Sequence, residues 1–199
     1  RTVALPASVA GHVEVGDLSG EWLAAVSSDT VALLQRQQDE WVAMQEIPIQ
    51  VLYHVALDGD NLLVVSRFRL ANVYPRSGNT WTFEFRTGTE TQDCGLSNDR
   101  LAIVLGGMFR TYDRVGTSWL PSGTFPSDAL RVRLTGDHAV LGLSSPYTVL
   151  QREAGAWSSL GDLQELEGGP LGIDVLAAGN RVRAGPFQQP TENPRGGVP

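Results

Sequence analysis

A nine-residue unit recurs along this chain, and a repeat limits the possible folds more tightly than any single motif. Its clearest copy is LDGDNLLVV at residues 57–65. The others are LSGEWLAAV at 18–26, LSNDRLAIV at 96–104, LTGDHAVLG at 134–142 and a looser AAGNRVRAG at 177–185. Glu21, Asp60, Asp99, Asp137 and Asn180 fill one turn position, in steps of 39, 39, 38 and 43 residues. Each unit joins two β-prone runs through Gly, Asn or Asp, which is hairpin chemistry because such tight turns need φ > 0. A period near 40 built from hairpins is the pattern of propeller blades, in which each unit buries its apolar faces only against its neighbours.

A tryptophan ladder runs in phase with the repeat: Trp41, Trp81, Trp119 and Trp157, spaced 40, 38 and 38 residues. Five residues before each stands an arginine (Arg36, Arg76, Arg114, Arg152), and two before that an apolar or aromatic residue (Leu34, Tyr74, Tyr112, Leu150). Gly78, Gly116 and Gly155 mark turns between them, so each unit holds a second hairpin. Two hairpins make four strands, expected in the second unit at 52–57, 62–66, 71–74 and 81–86. The units run over 12–47, 52–86, 93–121 and 130–160, with a fifth over 171–190. The ladder tryptophan precedes the next turn acid by 18 or 19 residues in three units, and the same count back from Glu21 reaches Thr2 or Val3. Residues 2–8 therefore sit where the outermost strand of the fifth unit belongs.

The expected fold is all-β: one domain over 1–199, a five-bladed propeller of four antiparallel strands per blade, the N-terminal strand closing the last blade. Closing a ring removes exposed sheet edges. The tail, FQQPTENPRGGVP at 187–199, is irregular, since proline withholds a ladder donor and allows only an edge strand. It leaves either a ragged fifth blade or a larger ring.

Composition narrows the function classes. A formal charge of −7 opposes a sequence-independent grip on nucleic acid or anionic lipid, both of which need clustered positive charge. No apolar run reaches the 18 or so residues of a spanning helix, so no membrane insertion is expected. One cysteine, Cys94, excludes an internal disulfide and a multi-cysteine zinc site.

The stretches VALDGDNLLVVS at 55–66 and NVYPRSGNTWTFE at 72–84 resemble the FG-GAP, or integrin alpha N-terminal, class of propeller repeat, in its short bacterial form. The likeness covers about residues 12–185 and implies a ligand-binding or interaction propeller, secreted, periplasmic or at the cell surface. The Phe-Gly and Gly-Ala-Pro landmarks of the family are missing, the nearest remnant being Ala184, Gly185 and Pro186. Calcium-binding members carry a DxDxDG series, and calcium takes six to eight oxygens. Here that place holds only Asp58, Gly59, Asp60 and Asn61, too few to wrap an ion, so no metal or other cofactor is expected.

Most polar residues have a structural assignment. Asp60, Asp99 and Asp137 recur in step and belong to turns. The Trp and Arg ladders pack between blades. His12, His54 and His138 lack metal-site pairing. Asp137 beside His138 lacks a nucleophile elbow, because no GxSxG occurs. Acid pairs such as Asp39 with Glu40, or Glu165 with Glu167, fall in solvated turns. Cys94 reads as a buried thiol. No catalytic residue is assigned. Arg67 and Arg69 in SRFRL break the repeat, and two arginines there can fork onto a carboxylate or phosphate. The face made by the loops joining strands two to three and four to one gathers Ser27, Arg67, Arg69, Asn72, Glu90, Asp93, Ser144 and Ser145 as candidate binding residues. The expected function is a non-catalytic module for a protein or glycan ligand. The alternative is a carbohydrate-active propeller: a lectin-like sugar binder, or a hydrolase or lyase with carboxylates at the channel mouth.

Overall fold

The computed structural model describes residues 15–27, 29–49, 52–66, 68–142, 147–163, 173–178 and 181–186. Nineteen strands and their short connections make up that set, with no helix among the described residues. The first sheet holds β1 (Val15–Ser19), β2 (Trp22–Val26), β3 (Thr30–Gln37) and β4 (Glu40–Pro48), in that order. The second holds β5 (Leu52–Asp58), β6 (Asn61–Ser66) and β7 (Ala71–Ser77), with a split outer strand, β8 (Thr80–Trp81) and β9 (Phe85–Arg86), both pairing β7. The third is β10 (Asp93–Ser97), β11 (Arg100–Leu105), β12 (Met108–Val115) and β13 (Ser118–Pro126). The fourth is β14 (Arg131–Thr135), β15 (His138–Gly142), β16 (Tyr147–Glu153) and β17 (Ala156–Leu163). β18 (Ile173–Ala178) and β19 (Arg181–Pro186) form a further hairpin. The expected closing strand at 2–8 and the tail at 187–199 lie outside the described residues.

The first strands of successive sheets run side by side, β1 with β5, β5 with β10, β10 with β14 and β14 with β18. Each sheet is thus a blade, entered at the axis and left at the rim. Two-residue turns join first to second strands, closed by the pairs Ser19↔Trp22, Asp58↔Asn61, Ser97↔Arg100 and Thr135↔His138. Positive φ falls on Gly20, Gly59, Asn98 and Gly136, one residue ahead of each turn acid. The glycines satisfy the backbone, and the acids are free to bond.

Alternation places two apolar rows on each blade, one toward each neighbour. Leu62 and Val64 of β6 meet Ala24, Val26, Val31 and Leu33 of the first blade, whereas Leu63 and Val65 meet Leu101 and Ile103 of the third. Ala102 and Val104 then meet Ala139 and Leu141 of the fourth. The core is a set of inter-blade layers, and a blade alone would leave both faces wet.

The outermost strand is irregular at one repeated place. Register shifts lie between Leu33 and Leu34, Thr111 and Tyr112, and Val149 and Leu150, leaving Met44, Ser122 and Leu160 unpaired as bulge residues. Each is the third residue after its ladder tryptophan. In the second blade Glu84 holds that place, in the gap between β8 and β9. A bulge twists a strand and re-aims a side chain. Just beyond it, Gly123 lets Trp157 of the next blade lie close: a Cβ there would fall 2.7 Å from the indole Cδ1.

Candidate functional site

The ends of the blades are held together by different means. At the turn end, side chains tie each blade to the next. Ser19 Oγ accepts from Gly59 N (3.1 Å), Asp58 Oδ2 from Asn98 N (2.6 Å) and Ser97 Oγ from Gly136 N (2.8 Å). Asn61 Nδ2 donates to Asn98 O (2.8 Å), and Arg100 Nη1 donates to Asp137 Oδ1 (2.7 Å). The ladder residues belong here too. Backbone N–H groups of Arg36, Arg76, Arg114 and Arg152 donate to the carbonyls of Glu21, Asp60, Asp99 and Asp137. Their guanidinium groups then reach outward: Arg76 pairs with Asp60 and lies over Trp22, while Arg114 forks onto Glu84 (2.7 and 2.8 Å). Arg152 bonds Asp113 of the third blade (2.7 Å).

Indole N–H groups complete the ladder where the preceding blade offers an acceptor. Trp119 Nε1 donates to Glu84 Oε1 (3.0 Å), and Trp157 Nε1 donates to Thr111 Oγ1 (3.1 Å). Trp81 Nε1 is buried without a partner, and the bulge residue of the preceding blade, where Glu84 stands for Trp119, is Met44. Trp41, on the first blade, is half-buried.

At the loop end, main chain does the holding. Ile49 N donates to Asp29 O (2.7 Å), Thr91 N to Arg69 O (2.8 Å) and Ser127 N to Gly107 O (2.9 Å). These three bonds lash the entry to each following blade onto the loop between second and third strands. They ask nothing of the side chains, so that surface varies freely from blade to blade.

The predicted binding residues distribute unevenly over this end. Ser27 is buried, its N–H donating to Thr30 O (3.0 Å). Asn72 is buried, with Nδ2 donating to Leu70 O (3.0 Å) and Val64 O (3.2 Å) and Oδ1 accepting from Arg86 Nε (2.7 Å). Asp93 has a side chain only 2% exposed and turns toward the fourth blade, accepting from Val132 N at 2.9 Å. Arg69 and Glu90 are exposed, and the bond from Thr91 to Arg69 sets their loops together. Arg69 has a left-handed backbone (φ 57), and Phe68 beside it is 62% exposed. Arg67, Ser144 and Ser145 lie outside the described residues.

Two features escaped the sequence reading. Phe68 sits inside the same SRFRL stretch but was passed over for its arginines. His54, assigned to structure, stands within electrostatic reach of Asp93, Arg133, Asp17 and Arg131, which lie on three other inner strands. Burial pushes its imidazole below the usual value, with Arg133 and Arg131 pressing the same way and the two acids opposing. Their common distance from the turn acid was the available signal: His54, Asp93 and Arg131 each stand six residues before it. Cys94 is buried in the layer between second and third blades, where burial pushes its thiol well above its usual value. Among the described residues no group of three His, Cys, Asp or Glu gathers as a metal site.

No family model matches the sequence, and none of the curated proteins matches it significantly. Solved structures do. A Lactobacillus plantarum protein superposes with a TM-score of 0.58 at 18% identity, over 81% of this chain and 57% of its own. The N-terminal domain of Nup159 gives 0.55 at 10%, over 83% and 53%. A putative 6-phosphogluconolactonase from Bacteroides fragilis gives 0.57 at 10%, over 77% and 55%. The chain is a β-propeller. It spans little more than half the length of these structures, and at such identities the likeness concerns the fold alone.

Proposed function

We propose that this propeller is a non-catalytic binding or protein-interaction module that meets its partner with the loop end, and that its repeats are of the FG-GAP type without calcium loops. One observation carries the reading: main-chain bonds fasten the loops at this end, leaving Phe68, Arg69 and Glu90 exposed on adjoining loops, while the turn end uses repeated polar side chains between blades. An exposed aromatic beside charged groups is the composition of a contact surface. Among the structures of similar fold is one of S. cerevisiae dbp5 bound to nup159, a protein partner on a propeller of this kind. A location outside the cytoplasm is part of the proposal and is tested by cell fractionation.

The carbohydrate-active reading rests on the likeness to putative 6-phosphogluconolactonases. A glycosidase needs two carboxyls facing one bond. The inner-strand acids Asp17 and Asp93 instead each accept a main-chain N–H of the following blade, from Leu57 (2.7 Å) and Val132 (2.9 Å).

A photo-crosslinker placed at position 68 or at Val115, equally exposed at the opposite end, separates the possibilities. The expected result is one protein or glycan captured from position 68 and not from 115, its affinity for Phe68→Ala reduced about tenfold or more. Equal capture from both ends, or turnover of a glycoside or sugar lactone, overturns the reading.

A further inference from the structure

The outer half of each blade carries one cross-strand pair that the repeat does not fix. Four residues before the ladder arginine, opposite a residue five after the ladder tryptophan, stand Ala32 with Glu46, Asn72 with Arg86, Arg110 with Thr124 and Thr148 with Asp162. In the fourth blade the pair closes on itself, Thr148 Oγ1 donating to Asp162 Oδ1 (2.9 Å). In the second it stays open. Asn72 is 3% exposed, and its Nδ2 is spent on Leu70 O and Val64 O, which aims Oδ1 at Arg86 Nε (2.7 Å). The guanidinium lies over the ring of Phe83, 5.6 Å from its centroid, and Phe83 meets Tyr74 edge-on. One nitrogen and one face of the group are thus held, while Nη1 and Nη2 of this exposed arginine bond nothing among the described residues. Phe83 is 49% exposed, and its equivalents are Ala43, Pro121 and Ser159, so the blade does not require an aromatic there.

Tyr74 packs into the layer between the first and second blades, and alternation puts Asn72, with Arg86 opposite it, on that same side. The outer-strand acids at this level turn elsewhere. Glu84 serves Arg114 and Trp119 of the third blade, and Glu46, next to Ile47 of the layer, faces the other way. The strand edge is open at the same place. Thr82 N donates to Pro75 O and Glu84 N to Val73 O, so Phe83 between them turns its N–H and C=O away from β7 and toward the rim. Two residues earlier the amide of Gln45, from the first blade, occupies that edge as a strand would, accepting from Trp81 N (2.7 Å) and donating to Trp81 O (2.8 Å). At Phe83 the main chain has no partner among the described residues.

We infer that this rim cleft docks an extended acidic peptide of a partner protein. Its main chain continues the edge from Gln45 onto Phe83, an Asp or Glu side chain takes Nη1 and Nη2 of Arg86, and an apolar side chain of the same segment covers the Phe83 ring. Strand addition to an open edge supplies the hold, and the neighbouring side chains supply the selection. A guanidinium already fixed by Asn72 and Phe83 loses little freedom on forking onto a carboxylate. The cleft lies at the rim and does not depend on the Phe68 surface.

The test is selection of random peptides, displayed between fixed flanks so that no free C-terminus is present, on the full chain, followed by fluorescence anisotropy with a selected peptide. The expected result is enrichment of Asp or Glu near a bulky apolar residue. Arg86→Gln should weaken the selected peptide about tenfold or more while leaving the melting temperature in place, and Phe83→Ala should weaken it by a similar factor. Replacing the peptide's acid by its amide should cost the parent chain that same factor and Arg86→Gln nothing further, which assigns the pair. Phe68→Ala should leave this affinity unchanged. No acid-enriched binder, or an affinity insensitive to Arg86→Gln, overturns the site. Loss with Phe68→Ala alone would place the peptide on the other surface and overturns it as well.

Discussion

The turn end and the loop end of this propeller contain the same number of connections per blade but are built on opposite terms. At the turn end a serine, aspartate, arginine or tryptophan of one blade bonds the next, so those positions must repeat. At the loop end main-chain bonds tie the connections, and the side-chain link from Val132 N to Asp93 between the third and fourth blades is not matched by an acid at the same place in the second, where His54 stands. Periodicity in the sequence therefore marks the end that holds the ring together, and its loss marks the end available for recognition. Proteins commonly place binding residues on loops carried by a rigid scaffold, and here the reason is visible in the hydrogen bonds.

That contrast can be broken most forcefully at Trp119. Its ring is buried between the second and third blades, stacks near Phe85 and donates to Glu84. Trp119→Ala should cost about 3–5 kcal/mol by denaturant unfolding, whereas Phe68→Ala should stay within about 0.5 kcal/mol. Comparable losses at both would erase the distinction between the ends.

Asp113 gives the next largest effect. Burial alone would raise its carboxyl, but hydrogen bonds from Arg100, Arg152 and Ser122 outweigh that and hold it below the ordinary aspartate range. A carboxyl lowered in the folded state contributes stability that is complete above its unfolded value, about 3.9, and fades as the pH falls through the folded value. Asp113→Asn should thus cost about 1–3 kcal/mol near neutrality, with the gap to the parent narrowing in acid. A gap that holds constant from neutrality into strong acid would assign the loss to packing rather than charge.

The smallest effect is a gain. Met44 occupies the bulge position from which Glu84 serves Trp119, and Trp81 Nε1 beside it lacks an acceptor. Met44→Gln should supply one and raise the urea midpoint by the equivalent of about 1 kcal/mol. An unchanged or lowered midpoint would show that the bulge positions are not interchangeable between blades.

Much of the architecture was legible because it is periodic. The 39-residue step through Asp60, the arginine and tryptophan ladders and the alternating apolar runs pointed to an all-β propeller, and the first three strands of the second blade lie close to where they were expected. The split of the outer strand into β8 and β9 was not legible, since a bulge changes pairing without leaving a composition signal. Nor was the role of the turn acids: the left-handed turn position belongs to the preceding Gly or Asn, and the acids serve arginines instead. Of the candidate binding residues, Arg69 and Glu90 are exposed, while Ser27 and Asn72 are buried and hydrogen-bonded within their loops, which side-chain type alone does not signal.

The sequence by itself determined which residues alternate between blade faces and where each hairpin turns, because both follow from local chain geometry and a period of two. Only the tertiary structure decided that His54, Asp93, Arg131 and Arg133 meet around one axis. They come from strands about forty residues apart, and side-by-side packing of inner strands, which no local pattern encodes, brings their charges within reach of one another.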